Sequence, residues 1–221
     1  MSRVPKGPSA TLERLLLKQG YGVVAGVDEV GRGALAGPVM AAAVVLKEPF
    51  DQFEGLGVRD SKLLTPTRRE ELSSILSIKL SCWSVGSASV EEIYFLGIRH
   101  ATLLAMRRAI EGLAILPDMV LIDGRDTIPD FGIPQRAVIS GDRTILSISA
   151  ASIIAKVHRD HEMVRLDQVS KGYDFSCNKG YGTETHRTGL VELGISVNHR
   201  VKFCQTFLSP TQGEIFKKSL G

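Results

Sequence analysis

The chain has 221 residues, of which 43% are hydrophobic and 23% are charged, with a formal net charge of +3. This length and composition fit one ordinary folded domain with a sizeable core and exclude an intrinsically disordered chain. The apolar runs are too short to span a membrane, and the small positive excess permits a nucleic-acid partner without arguing for one.

Strand-like and helix-like patterns alternate along the chain after a loose tail predicted over residues 1–10. The predicted strands are apolar runs bounded by glycine, proline or acids, and they cover residues 23–27, 39–46, 82–88, 119–122 and 137–139. The predicted helices show apolar stripes or start signals, and they cover residues 11–19, the segment that begins at Thr65-Pro66, the segment opened by the Ser89-Val90-Glu91-Glu92 capping box, 98–113 and 147–169. The Gly-rich connection between the first two strands indicates antiparallel neighbours. The whole order predicts an α/β fold with a mixed sheet.

Acidic residues follow three of the strand-like runs. They are Asp28-Glu29, Asp123 and Asp142. Ligands collect beyond strand ends in α/β sheets, so these four carboxylates could hold two Mg²⁺ or Mn²⁺ ions for phosphoryl displacement. A turn would explain Asp123-Gly124 and a helix cap would explain Asp142, but neither explains two adjacent acids against an apolar strand.

A Gly31-Arg32-Gly33 turn follows the first acids. Glycine allows the backbone to approach a ligand closely, and arginine suits a phosphate group. The spacing to Gly37 also resembles a dinucleotide-binding loop, but that motif should open a helix, and here Pro38 and a strand-like run follow. We therefore favour phosphodiester chemistry over nicotinamide binding.

Two further segments suit a nucleic-acid backbone. Ser61 and Lys62 could hold a phosphate, although a solvated polar turn has the same composition. Tyr181, in a glycine-flanked loop, could stack on a sugar or base, or pack over the edge of the core. The histidines lack zinc-site spacing, so we predict a solvated helix face or structural or peripheral roles for His158, His161, His186 and His199.

Together these segments resemble bacterial ribonuclease HII over about residues 23–207. The matching pieces are Gly26–Gly33, Leu35–Val39, Asp60–Lys62, Ile122–Gly124, Gly141-Asp142, Ala150–Asp160, Lys179–Thr183, Gly194-Ile195 and His199-Arg200. The resemblance implies a ribonuclease H-like fold, with a mixed central sheet flanked by helices. It also implies endonucleolytic cleavage of RNA in RNA–DNA hybrids, including single ribonucleotides embedded in duplex DNA, that leaves 5′-phosphate and 3′-hydroxyl ends.

The resemblance also implies roles for individual residues. The metal-binding acids would be Asp28, Glu29, Asp123 and Asp142. The sensors of the ribose 2′-OH would be Gly31, Arg32, Gly33 and Tyr181, with phosphate contacts from Ser61 and Lys62. In the related ribonuclease HIII the arginine of the turn is replaced and a further N-terminal domain precedes the catalytic one, so Arg32 and the short tail favour HII. Asn178, where His is frequent, and Arg143-Thr144, where Lys or Ser is common, depart from the pattern.

We expect a tail and short helix over residues 1–20, a catalytic domain over 21–210 and a C-terminal tail over 211–221. Three scattered cysteines, Cys82, Cys177 and Cys204, argue against a disulfide framework, and no apolar signal core follows the N-terminus. These features predict a cytoplasmic protein with no membrane association, and we expect it to be a monomer. A nucleic-acid-binding module without turnover remains the alternative to an enzyme.

Overall fold

A computed structural model describes residues 7–53 and 55–207, in which five strands form a mixed sheet in the order β3-β2-β1-β4-β5. The strands are β1 (Val24–Val30), β2 (Val39–Val45), β3 (Cys82–Ala88), β4 (Met119–Asp123) and β5 (Gln135–Val138). β1 pairs with β2 in the antiparallel sense and with β4 in the parallel sense, and β4 is parallel to β5. This confirms the predicted α/β class and the predicted antiparallel pair.

Helices precede, separate and follow the strands along the chain. They are α1 (Thr11–Lys18), α2 (Pro66–Lys79), α3 (Val90–Glu111), α4 (Gly141–Thr144), α5 (Leu146–Val169), α6 (Phe175–Asn178), α7 (Glu184–Leu193) and α8 (Val201–Cys204). Short 3₁₀ turns cover Phe50–Phe53, Ser61–Leu63 and Gln205–Phe207. Among the described residues, no helix combines the length and the apolar character that a membrane crossing requires.

The start of α3 confirms the predicted capping box, because Glu92 N–H donates to Ser89 Oγ and Ser89 N–H donates to Glu92 Oε2. Gly97, with a φ of 74° and a ψ of 157°, is not helical, so α3 consists of two helical pieces that meet at this residue. The second piece follows Gly97, which confirms the predicted helix start at residue 98. The predicted last strand, 137–139, is shifted in the structure to Gln135–Val138.

The chain forms two compact units. Within the described part of the chain, the first comprises residues 7–30, 40–53, 55–87 and 102–158, and the second comprises residues 31–39, 88–101 and 159–207. The predicted C-terminal tail over 211–221 lies outside the described residues.

The first unit is built on contact between β1 and the start of α5. Gly26 is in the middle of β1, and a Cβ there would collide with the Ser147 backbone, so only glycine permits this approach. Apolar residues of β2, α2 and α5 form one core cluster, which includes Ala42, Leu72 and Ile154. Val30, the last residue of β1, is partly buried and packs against this cluster.

The second unit has its own smaller core. Its buried members include Leu35, Met163, Phe175 and Leu190, contributed by the segment after β1, by α5, by α6 and by α7. The segment that follows β1 is tied into this unit by backbone hydrogen bonds from Leu35 N–H to Gly180 and from Gly37 N–H to Asn198. The second unit therefore holds this long irregular segment in place. The described residues of the unit form no separate sheet.

Candidate active site

Three of the four predicted acids lie together at one edge of the sheet. Asp28 and Glu29 are at the end of β1, and Asp123 is the last residue of β4. Because these strands are parallel, with Val27 opposite Ile122, their carboxyl ends meet. One ligand oxygen from each of the three acids lies within 4.8 Å of the other two.

Asp28 is the most constrained of these acids. It is 5% exposed, and one of its oxygens accepts the Glu29 backbone N–H at 2.8 Å. Burial, followed by the charges of Glu29 and Asp123, holds the pKa of Asp28 well above its usual range, while a Ser152 hydrogen bond opposes this shift. A cation between the carboxylates would relieve this repulsion. Close carboxylates that repel one another are therefore what a metal site requires.

Asp123 organises the loop that carries the fourth acid. Its Oδ1 accepts the backbone N–H of Gly141 at 2.7 Å and that of Asp142 at 3.3 Å. A Cβ at position 141 would lie 2.6 Å from Ile148 Cδ1 and 3.3 Å from Asp123 Oδ1, so glycine permits the approach. The loop is therefore held directly against the Asp123 carboxylate.

Asp142 is buried beside the three-acid group but does not belong to it. Burial, then the charges of Asp123 and Asp60, raises the pKa of its carboxyl. The structure thus brings Asp28, Glu29 and Asp123 together and holds Asp142 nearby through its backbone. The donor set consists of carboxylates, which are the ligands that Mg²⁺ and Mn²⁺ prefer.

The Asp60-Ser61-Lys62 segment is a capped 3₁₀ turn in the same unit. Asp60 accepts the Lys62 backbone N–H at 3.0 Å, and its other oxygen lies 3.5 Å from Arg143 Nε. Lys62 is exposed, whereas Ser61 is 3% exposed and its Oγ lies 2.9 Å from Ser152 Oγ. Lys62 is thus open to a phosphate, and the phosphate contact of Ser61 stays a prediction.

The Gly31-Arg32-Gly33 turn belongs to the second unit, where two buried arginines hold it. Gly31 has a φ of 89°, and a Cβ there would collide with the guanidinium of Arg159. Arg159 donates to the carbonyls of Ala36, Pro38 and Lys179 at 2.8–3.1 Å. Arg200 donates to the carbonyls of Arg32, Ala34 and Gly37, each at 2.9 Å. We call these two residues the arginine clamp.

The loop that carries Tyr181 is held by the same unit. Asn178 donates to the Tyr173 carbonyl at 2.6 Å and accepts the Gly180 N–H at 2.7 Å, so the departure from His at this position leaves the loop ordered. The Arg159 guanidinium lies 5.5 Å from the centre of the Tyr181 ring. The ring is 37% exposed, and it can therefore meet a ligand.

The sequence did not single out the arginine clamp. Arg159 lies in a charged stretch and was assigned no role, yet it is fully buried. A signal existed, because Ala155, Arg159 and Met163 recur every four residues on one helical face and all three are buried. The sequence could not predict which carbonyl groups the arginine clamp binds, since every residue has a carbonyl group.

The histidines differ in their surroundings. His161 is exposed, in accord with the predicted solvated face, but His158 is half-buried, with its ring 5.2 Å from that of Trp83. His186 and His199 are buried and hydrogen-bonded to each other at 3.0 Å. Of the two alternatives predicted for them, they are structural and not peripheral.

Comparisons with known proteins agree with this geometry. The family model described as ribonuclease HII matches residues 25–206. Ribonuclease HII of Synechocystis sp. is 49% identical over 186 residues, which cover 84% of this chain and 98% of the relative. The crystal structure of ribonuclease H2 from Pyrococcus horikoshii matches with a TM-score of 0.73 at 28% identity, covering 89% of this chain and 99% of that one.

A more distant solved structure shares the fold alone. Bst-RNase HIII in complex with Mn²⁺ matches with a TM-score of 0.64 at 18% identity, covering 89% of this chain and 70% of that one. The sheet and its flanking helices are therefore of the ribonuclease H-like type, as the sequence predicted.

Proposed function

The chain belongs to the ribonuclease HII family and is a metal-dependent ribonuclease H, and we propose that it hydrolyses RNA in RNA–DNA hybrids and at single ribonucleotides embedded in duplex DNA. The observation that carries the proposal is the meeting of Asp28, Glu29 and Asp123 at one sheet edge. Such a site suits attack on a phosphodiester, and no Cys or His is needed for it.

Two divalent ions, Mn²⁺ or Mg²⁺, are proposed as cofactors, held by Asp28, Glu29, Asp123 and Asp142. The raised pKa of the buried Asp28 carboxyl supports this, because a bound cation would stabilise its charged form. When bound, such ions supply an activated water and neutralise charge in an in-line displacement that leaves 5′-phosphate and 3′-hydroxyl ends. The Ser152 hydrogen bond to the Asp28 carboxyl favours its charged form, which is the form that would hold a cation.

The proposed substrate contacts are of two kinds. Arg32, Ser61 and Lys62 contact phosphates, which positions the duplex without reading its sequence. The backbone of Gly31, Arg32 and Gly33, with Tyr181, senses the ribose 2′-OH, which is the group that distinguishes RNA from DNA. Support comes from the arginine clamp, which holds the turn in one conformation before substrate arrives.

The partners that follow are RNA–DNA hybrids and duplex DNA that contains ribonucleotides. We propose that the protein acts as a cytoplasmic monomer. Size-exclusion chromatography coupled to light scattering tests the monomer directly.

The deciding experiment uses a duplex that contains one ribonucleotide, with Mn²⁺ or Mg²⁺ and then with EDTA. We expect a single metal-dependent cut on the 5′ side of the ribonucleotide and none in the matched all-DNA duplex. Asp123→Asn should abolish the cut while circular dichroism shows an intact fold. Retained cutting by a folded Asp123→Asn variant would contradict the proposed role of Asp123.

The same material separates the alternatives. A nucleic-acid-binding module would retain the duplex in a gel-shift assay without cutting it under any metal condition. A nicotinamide enzyme would bind a dinucleotide in EDTA, which isothermal titration calorimetry would detect.

A further inference from the structure

Two buried histidines stand directly behind Tyr181. His186, in α7, and His199, before α8, are 0% and 1% exposed, and their Nε2 atoms lie 3.0 Å apart. The rings of Tyr173 and Phe175 enclose the pair, with centroids 4.5 Å from His199 and 5.2 Å from His186 respectively. Neither histidine has a part in the metal or phosphate contacts proposed above.

The partners of the two rings assign every imidazole proton. The Ser196 backbone N–H lies 3.0 Å from His199 Nδ1, and because a backbone N–H only donates, this nitrogen accepts. A neutral His199 then carries its proton on Nε2 and donates to His186 Nε2. His186 in turn carries its proton on Nδ1 and donates to the Tyr181 carbonyl at 2.9 Å. The hydrogen bonds run in one direction from Ser196 to Tyr181, and we call this chain the histidine relay.

Burial favours the neutral rings that the relay requires. Burial, then the charge of His186, lowers the pKa of His199 to about 4, and burial lowers the pKa of His186. A second proton on His186 would place two N–H groups face to face between the rings, and a second proton on His199 would face the Ser196 N–H. The relay is therefore complete at neutral pH.

The relay ends on the backbone of the residue proposed to sense the ribose. The Tyr181 carbonyl accepts from His186 Nδ1 and also from the Thr183 N–H at 2.8 Å. Arg159 supports the same loop, since it donates to the Lys179 carbonyl and lies beneath the Tyr181 ring. Loss of the His186 bond would remove one of the donors that hold this carbonyl in place.

We infer that His186 and His199 are positioning residues that fix the backbone of Tyr181 and so aim its ring at the sugar beside a ribose–deoxyribose junction. This inference deepens the proposed function and rests on the ribose-sensing role of Tyr181. The pair acts through Tyr181 and does not touch the substrate.

Two substitutions at one position separate positioning from packing. In His186→Asn the amide nitrogen takes the place of Nδ1 and keeps the donor to Tyr181. In His186→Gln the amide reaches the place of Nε2, so the bond to Tyr181 is lost. Both variants lose the imidazole ring, and thermal denaturation checks that both remain folded. His100→Gln is the matched control, because His100 is exposed and bonds only within its own helix at Leu96 among the contacts described.

Cleavage of the single-ribonucleotide duplex is the readout. We expect His186→Gln to lose about tenfold or more in rate, because small misplacements of a positioning group are costly. His186→Asn should recover the rate to within about threefold of the wild type. Adding His186→Gln to Tyr181→Ala should cost nothing further, since His186 acts on cleavage only through the position of the ring that Tyr181→Ala has already removed. Equal loss in both His186 variants, or losses that multiply with Tyr181→Ala, would overturn the inference.

Different results would contradict the ribose-sensing role of Tyr181 and the positioning role of His186. Normal cleavage by Tyr181→Ala would remove the ribose-sensing role, and the inference with it. Impaired Tyr181→Ala beside a fully active His186→Gln would remove the inference alone. Independently of activity, imidazole ¹⁵N NMR of the wild type should show His199 protonated at Nε2 and His186 at Nδ1, and the opposite tautomers would overturn the relay even if the variants fail to fold.

Discussion

The hydroxyl groups of Ser61 and Ser152 lie 2.9 Å apart in the interior, where one donates to the other. Ser152 also hydrogen-bonds the Asp28 carboxylate, against the effect of burial, which raises the pKa of that group. One serine of α5 therefore connects the acid at the end of β1 with the turn that presents Lys62. A metal-binding acid and a phosphate-contacting turn would share this support.

Ser152→Ala should weaken metal binding and lower stability together. Removing the hydroxyl leaves Ser61 without this partner, at a cost of about 1–2 kcal/mol in the free energy of unfolding. It also removes a support of Asp28, for which we expect about tenfold weaker Mn²⁺ affinity by calorimetry. Ser77→Ala is the control, since that hydroxyl bonds only to Ser73 of its own helix among the described contacts. Unchanged Mn²⁺ affinity in Ser152→Ala would refute the shared support.

Asp28→Asn tests the electrostatics of the acidic group without a substrate. In EDTA the variant should unfold at a higher temperature than the wild type, because the buried side chain at position 28 no longer carries a carboxyl beside the charges of Glu29 and Asp123. Mn²⁺ should raise the melting temperature of the wild type by mass action and leave the variant unaffected. A variant that is stabilised by Mn²⁺ as strongly as the wild type would show that Asp28 is not a ligand.

Lys62→Ala should weaken duplex binding in a salt-dependent manner. If Lys62 contacts one phosphate, its loss reduces the slope of log affinity against log salt by about one. Fluorescence anisotropy in EDTA measures binding without cleavage. Lys18→Ala, at the exposed end of α1, serves as the control with an unchanged slope. An unchanged slope for Lys62→Ala would remove it from the proposed contacts.

Arg159→Met should be strongly destabilising. The variant leaves three carbonyls in the second unit without this donor. Loss of the buried bond to Ala36 costs roughly 1–3 kcal/mol, and loss of the half-buried bonds to Pro38 and Lys179 adds to it. Arg165→Met, on the same helix, removes an exposed ion pair with Glu162 and should cost less than about 1 kcal/mol. Urea denaturation compares them. A similar small loss in both variants would mean that the clamp does not hold the turn.

Glu13→Gln should alter the dependence of stability on pH. Glu13 is 1% exposed and accepts the Ser147 N–H at 2.8 Å, and burial raises the pKa of its carboxyl. Since the folded state binds this proton more tightly than the unfolded state, its contribution to stability is present at acid pH and is lost as pH rises. In urea denaturation, the free energy of unfolding of the variant should therefore rise relative to that of the wild type as pH rises above the usual carboxyl pKa. A constant difference over that rise in pH would show that Glu13 does not titrate on unfolding.

The central part of the site could be predicted because local patterns determine it. Apolar runs that end in acids place Asp28 and Asp123 at the ends of buried strands, and adjacent parallel strands bring those ends together. The pairing of β1 with β4 itself is not local, however. No pattern in the sequence predicts it, and the register of the sheet shows it.

The remaining features depend on contacts that leave no pattern in the sequence. The amphipathic spacing of leucines predicted α1, but it did not reveal that Glu13 on that helix caps the distant Ser147. His186 and His199 are 13 positions apart, and only the folded chain makes them a pair. These contacts form only in the folded chain, so composition and periodicity do not predict them.

The arginine clamp binds main-chain atoms, so its contacts do not depend on which side chains the bound segments carry. Its six acceptors are peptide carbonyls, a group that substitution does not remove. Side chains such as those of Ala34 and Leu35 are therefore open to replacement by others of similar volume while the anchorage persists. To alter the preference between ribose and deoxyribose, we would therefore vary side chains such as those of Ala34 and Leu35 and keep both arginines of the clamp.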